Sequence, residues 1–337
     1  MAGPHLYILT GASRGMGLAM AEQLLASDHA LLCISRKTND ALAAQAAQAN
    51  CRLEQWPLDL EHSREAAAML RQWLGRPGAS YASATLINNA GAIPQRITPL
   101  DEADADDLAR VLRVDLEAPM LLCSAFLQAS AHWQVPRKIL NISSGLGRRP
   151  MAAQAAYCAA KAGMDHFTRC LALEQALQSQ GARVCSLAPG VIDTDMQVQL
   201  RSADAAGFPD LGRFVQLKTG GQLSCALEPT SVLRTTIEGS SLTAQQKTQL
   251  CGCFAQLNTG WSTSLTDLFE TSTPEQIAKE LENLLSCCSP DGIITADQGV
   301  QQLNSAQPTA SDLDRIRNGS RYELCAVPIY KGVSLPD

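Results

Sequence analysis

The sequence predicts a doubly wound α/β fold, and two observations carry that prediction. Over residues 1–200, short apolar runs rich in Leu and β-branched residues alternate with longer Ala/Leu segments at helical spacing. The first apolar run leads straight into a glycine cluster and then a helical segment. Repeated strand–helix alternation implies a parallel sheet with helices on both faces.

Runs at 6–9, 30–34, 53–57, 85–88, 138–142 and 183–187 are predicted strands, short enough and apolar enough to be buried on both faces. Segments at 17–26, 40–49, 63–74, 104–113, 116–131 and 152–178 are predicted helices. After Met196 the regularity fades. Residues 197–226, which include Gly207, Gly212, Gly220 and Gly221, read as a loop of lid or linker length. Further on, a helical segment is possible at 243–257. Thr273 reads as an N-cap, with Pro274 in the first turn and Gln276 as its reciprocal partner, opening a helix over 277–285. A last strand falls at 293–295 or at 324–330, and the remaining tail is polar.

Composition narrows the class. The 337 residues are 46% hydrophobic, enough for a large core and unlike a disordered chain. Lys and Arg number 27 against 33 Asp and Glu, a net charge of −6, so the basic footprint of a nucleic-acid binder is missing. No apolar run approaches the roughly 18 residues of a membrane span. The opening run is too short for a signal peptide, which leaves the cytoplasm as the expected location. Of twelve cysteines, Cys33, Cys123, Cys170 and Cys185 lie in apolar runs and read as small buried hydrophobes. Cys251-Gly252-Cys253 and Cys287-Cys288 lack zinc-site spacing, so no metal is expected. The five histidines are scattered and complete no Ser–His–Asp pattern.

Thr10-Gly11-Ala12-Ser13-Arg14-Gly15-Met16-Gly17 follows the first strand. Glycine permits positive φ and lets backbone N–H groups approach phosphate oxygens, and the following helix presents its positive end to them. A glycine cluster by itself is also an ordinary strand–helix turn. The second strand ends Ser35-Arg36-Lys37, with no acid to take a ribose 2′-hydroxyl. Arg36 and Arg14 suit a 2′-phosphate, which favours NADP over NAD; the alternative is solvated surface charge. Asp59, before Leu60, can bond an adenine amino group or cap the next helix. Asn88-Asn89-Ala90-Gly91 follows the fourth strand with small residues that let the backbone run close to a cofactor.

Tyr157 and Lys161 stand at i, i+4 in an Ala-rich helical segment, on one face. A nearby ammonium stabilises phenolate and is expected to lower the phenol pKa, making Tyr157 a proton donor and acceptor. Ser143-Ser144 ends the fifth strand, where a hydroxyl can polarise a carbonyl. Arg148-Arg149 nearby favours an anionic substrate or is a solvated pair.

Together these motifs resemble the short-chain dehydrogenases/reductases over residues 5–200, and Pro189-Gly190-Val191-Ile192-Asp193-Thr194 looks most like the sepiapterin and benzil reductase branch. The resemblance implies a Rossmann-type sheet of about seven strands. It divides the chain into a dinucleotide-binding and catalytic domain (1–200), a substrate lid (197–226) and an atypical C-terminal region (227–337). It implies NADPH-dependent reduction of a small ketone, diketone or pterin-like carbonyl. Tyr157 would donate the proton, Lys161 would hold the nicotinamide ribose, and Ser144 would orient the carbonyl. The cofactor residues would be Gly11, Ser13, Arg14, Gly15, Met16, Gly17, Arg36, Asp59, Leu60, Asn89, Ala90, Gly91, Tyr157, Lys161, Pro189, Gly190, Ile192 and Thr194. It also implies a homodimer or homotetramer joined through the helices at 116–131 and 152–178. A non-catalytic NADP-binding sensor and an oxidative alcohol dehydrogenase are the rival readings.

One residue departs from the family pattern. Where the family usually carries an Asn that seats a water leading to the Lys, this chain has Asp115. Its carboxylate is expected to hold Lys161 as an ammonium.

Overall fold

The computed structural model describes residues 3–77, 80–221 and 223. Every strand predicted before Met196 is present: β1 His5–Thr10, β2 His29–Ser35, β3 Arg52–Pro57, β4 Ser83–Asn88, β5 Arg137–Ile142 and β6 Arg183–Leu187. All neighbours are parallel, in the order β3-β2-β1-β4-β5-β6. The chain winds from β1 to one edge and from β4 to the other. The carboxyl ends of β1 and β4 therefore part at a switch point, the place where open α/β sheets bind ligands. Among the described residues the sheet has six strands. The expected last strand, the helix behind Thr273, the segment at 243–257 and the cysteines from Cys225 onward lie outside the described residues.

Strand alternation splits the core into two layers. In β1, Leu6 and Ile8 face one layer and Tyr7 and Leu9 the other. The first layer is covered by Leu70 and Leu74 of α3 (Ser63–Leu74), Leu122 and Phe126 of α5 (Ala118–Ala129) and Leu171 of α6 (Ala155–Ala176). Met16 and Met20 of α1 (Gly15–Gln23) and Leu42 and Ala46 of α2 (Asp40–Gln48) cover the second. Cys170 corrects the reading of the apolar-run cysteines: it is exposed on α6, whereas Cys33 and Cys123 are buried.

Two features were not read from the sequence. The break between α4 (Ala105–Leu112) and α5 is a π-helical turn, Arg113–Glu117, and Asp115 is buried within it. Such turns insert one extra residue per turn and often mark functional positions. Residues expected to form a loop after Met196 instead build α7 (Asp195–Arg201) and α8 (Leu211–Thr219). Leu200, Phe208 and Phe214 gain their burial from a third apolar cluster beyond the sheet, shared with Ile93, Val111 and Tyr157. Among the described residues no helix is long and apolar enough to cross a membrane.

Candidate active site

The glycine turn packs tightly against the exit of β4. Gly11 has φ +72°, and a Cβ on Gly17 would stand 2.0 Å from the Gly11 carbonyl oxygen. Thr10 Oγ1 accepts hydrogen bonds from the N–H groups of Asn89 and Ala90, both 2.9 Å. Asn89 Nδ2 donates to the Thr10 carbonyl at 2.9 Å. The Asn89 amide thus braces the turn, and Ala90 and Gly91 present backbone to the crevice. Across it, a Cβ on Gly15 would touch the Thr194 methyl at 3.5 Å.

The other expected cofactor residues divide by exposure. Arg14 and Arg36 are exposed beside the crevice. Arg14 Nη1 pairs with Asp195 Oδ2, the first residue of α7, at 2.5 Å. Ser13 offers its carbonyl to Asn39 Nδ2 at 3.2 Å. Met16, Leu60 and Ile192 are buried in the core layers, so their side chains serve packing. Asp59 caps the short helical turn Leu60–His62, accepting from the Glu61 N–H at 3.0 Å, the second of its two sequence readings. Pro189 and Gly190, at φ +90°, lead from β6 toward Thr194, which N-caps α7. Asp193 between them is held by Lys218 of α8 and by Arg201 at 3.7 Å, which ties both later helices to this segment. The hydrogen bond from Lys218 holds the Asp193 carboxyl below its ordinary range.

Tyr157, Lys161, Asp115 and Ser144 converge at the carboxyl end of β5. Tyr157 and Lys161 lie one turn apart on α6, with Lys161 Nζ 5.6 Å from the phenol ring centroid. Lys161 Nζ donates to the Ile142 carbonyl at 3.0 Å and stands 3.0 Å from Asp115 Oδ1. Asp115 Oδ2 accepts from the Ala92 N–H at 2.8 Å, just past Gly91. Ser144 Oγ accepts from the Leu146 N–H at 3.2 Å, and its side chain acts to lower the phenol's pKa.

The electrostatics correct one expectation. The Tyr157 phenol is pushed up, not down: burial dominates, Lys161 and Ser144 oppose it, and Asp115 adds to it. An i+4 spacing reveals the cation but neither the burial nor the carboxylate. Burial acts to lower Lys161, but Asp115, then Tyr157 and Asp165, outweigh it and its pKa is raised. Burial pushes the Asp115 carboxyl up, against the pull of Lys161 and the Ala92 N–H. The direct contact is that of an ammonium–carboxylate pair.

Asp165 was not singled out from the sequence, though it sits four residues past Lys161 on the same helix face. It is buried, accepts the Ser186 hydroxyl and pairs with Arg148 at 3.7 Å. Arg148 is therefore neither a solvated charge nor an open anion site. Among the described residues no group of three or more His, Cys, Asp or Glu is placed to hold a metal.

A family of short chain dehydrogenases matches residues 5–205. The chain belongs to the short chain dehydrogenase family. It is an oxidoreductase of a family that binds a nicotinamide cofactor. A Bacillus cereus benzil reductase ((S)-benzoin forming) is 35% identical over 217 residues, covering 64% of this chain and 87% of the relative. A Xenopus tropicalis sepiapterin reductase is 31% identical, covering 63% and 83%. The crystal structure of a short-chain dehydrogenase/reductase from Burkholderia vietnamiensis is 35% identical, with a TM-score of 0.51 over 61% of this chain and 94% of that one.

Proposed function

We propose that the protein is an NADPH-dependent carbonyl reductase for small ketones or diketones, with Tyr157 as the proton donor. The observation that carries this is the buried Tyr157 phenol, one turn from the buried Lys161 ammonium that pairs with Asp115 at 3.0 Å.

The residues fit the cofactor. A Cβ at Gly91 would come within 2.9 Å of Asp115 Oδ1 and 3.6 Å of Lys161 Nζ, so only glycine keeps that ammonium approachable. Gly11 to Gly17 would cradle the pyrophosphate at the α1 N-terminus. Arg14 and Arg36 would take the 2′-phosphate, with Arg14 leaving Asp195, an exposed pair worth about 0–1 kcal/mol. Pro189, Gly190, Ile192 and Thr194 would hold the nicotinamide side through backbone. Bound there, the cofactor supplies hydride to the carbonyl carbon.

The chain's own residues do the rest. Ser144 orients the carbonyl oxygen toward the phenol. Tyr157, like any phenol, is protonated at neutral pH, and it gives that proton to the oxygen as negative charge develops. Lys161, held cationic by Asp115, stabilises the phenolate left behind. Helices α7 and α8 cover the cavity as its lid, excluding water through Leu200, Phe208 and Phe214. Exposed Met120 on α5 and Leu173 on α6 support assembly into a homo-oligomer through those helices.

Purified protein offered NADPH or NADH with a panel of diketones, ketones and aldehydes tests the reading. Oxidation of NADPH in preference to NADH, with alcohol formed in equal amount, is expected. No cofactor oxidation with any member of the panel contradicts it.

A further inference from the structure

The inner face of α6 carries three polar groups in a row, and the third has no part in the chemistry above. Tyr157, Lys161 and Asp165 follow one another at four-residue spacing, about 6 Å apart along the axis. All three are buried, Asp165 to 4% exposure. A carboxylate taken out of water is costly unless it is paired, so its place on this face calls for a cause.

Its partners supply one. Asp165 Oδ1 accepts the hydroxyl of Ser186 on β6, which anchors the carboxylate to the strand leading to Pro189 and Gly190. Asp165 Oδ2 is buried, has no hydrogen bond among the described residues, and stands 3.7 Å from Arg148 Nη2. Ser144 and Arg148 are the two caps of one short helical turn, Gly145–Gly147. The carboxylate on α6 thus meets the far end of the turn that begins at Ser144.

That turn is pressed onto α6. A Cβ on Gly147 would stand 3.0 Å from Asp165 Oδ2 and 3.0 Å from the Lys161 carbonyl oxygen, which leaves a side chain no room without displacement. Leu146, in the middle of the turn, packs against the apolar cluster that holds Tyr157. The Gly147 N–H donates to the Ser144 carbonyl at 3.0 Å and the Arg148 N–H to the Gly145 carbonyl at 3.2 Å, so the turn moves as one piece.

We infer that Asp165 and Arg148 are positioning residues: the carboxylate, fixed by Ser186, holds the arginine and with it the whole turn, which keeps the Ser144 hydroxyl in register with the Tyr157 phenol. This rests on the carbonyl-reductase reading. Ser144 follows β5 while the phenol belongs to α6, so their separation depends on how the turn sits on the helix. A misplacement of about 1 Å at a reacting centre can cost on the order of 100-fold in rate. At 3.7 Å the contact is one of charge rather than a hydrogen bond, and a lysine can therefore stand in for the arginine.

The test combines Arg148→Gln and Ser144→Ala, singly and together, with two readouts. Steady-state reduction of benzil with NADPH gives kcat and KM. The Tyr157 phenol is titrated by NMR in protein carrying isotope-labelled tyrosine, with Tyr157→Phe to assign its signal. R148Q is expected to lower kcat about 10- to 100-fold, with the KM for benzil and the affinity for NADPH within a few-fold of wild type. It should cost nothing further in S144A, and R148K should restore most of kcat. The phenol pKa should rise more in R148Q than R148Q raises it in the S144A background, because the serine that acts to lower it is displaced. D165N, which keeps an acceptor for Ser186, stands in if R148Q does not fold, and the same dependence on Ser144 is expected of it. An equal loss of kcat with and without Ser144 overturns the inference, as does an equal pKa shift in both backgrounds, which would be the lost charge acting through space. An unchanged kcat with a lowered melting temperature makes the pair structural and overturns it too. If the wild type reduces nothing, the reductase reading fails by itself, and the dependence on Ser144 in the phenol titration still decides the positioning.

Discussion

Asp115 stands 3.0 Å from the Lys161 ammonium, and both side chains are buried. The carboxylate sits in a π-helical turn between α4 and α5, the cation on α6, and the Ala92 N–H past β4 closes the arrangement. Three separate elements thus fix the charge beside the Tyr157 phenol.

Neutralising Asp115 should therefore move the pH profile of reduction. The phenol must be protonated to donate, so activity falls as pH rises through its pKa. Asp115 raises that pKa, and Asp115→Asn removes the contribution while Lys161 Nζ keeps its bond to the Ile142 carbonyl. The alkaline limb of kcat/KM is expected to shift to lower pH, with activity near neutrality within about 10-fold of wild type. A limb that stays in place or moves upward contradicts this. Asp115→Ala, which strands a buried ammonium, should cost about 3–5 kcal/mol of stability in denaturant titrations.

The proposed preference for NADPH rests on Arg14 and Arg36. Replacing both with Ala should weaken NADPH binding about 10- to 100-fold per arginine while leaving NADH within a few-fold. Fluorescence titration with each cofactor reads this directly. Equal losses for both cofactors would remove the 2′-phosphate assignment.

The proposed lid is tested through Phe208, fully buried and stacked on Phe214 with ring centroids 5.6 Å apart. Phe208→Ala should cost about 3–5 kcal/mol of local packing. Because the cluster it leaves includes Tyr157 rather than the glycine turn, KM for the carbonyl substrate should rise with NADPH affinity unchanged. A loss confined to cofactor binding would speak against a lid.

Much of this was legible in the sequence because its causes are local. Strand runs such as 138–142, the glycine turn and the i, i+4 spacing of Tyr157 and Lys161 each declare themselves within a few residues. The family was legible for the same reason. What stayed hidden depends on partners far along the chain. Arg14 meets Asp195 across 181 residues. Helices α7 and α8 are short, and their buried apolar residues pack in the cluster that holds Tyr157. The phenol pKa rises because the fold buries it, which no spacing reveals. Asp165 reads as an ordinary helix acid until its burial is seen.

Tyr157→Phe tests the central claim most directly, by removing one hydroxyl and keeping the ring. NADPH-dependent reduction of benzil by this variant should fall at least 10²-fold in kcat/KM, the usual share of a positioned acid, with NADPH affinity and melting temperature preserved. Turnover equal to that of the wild type would mean that the phenol is not the proton donor, and the proposed chemistry would be wrong.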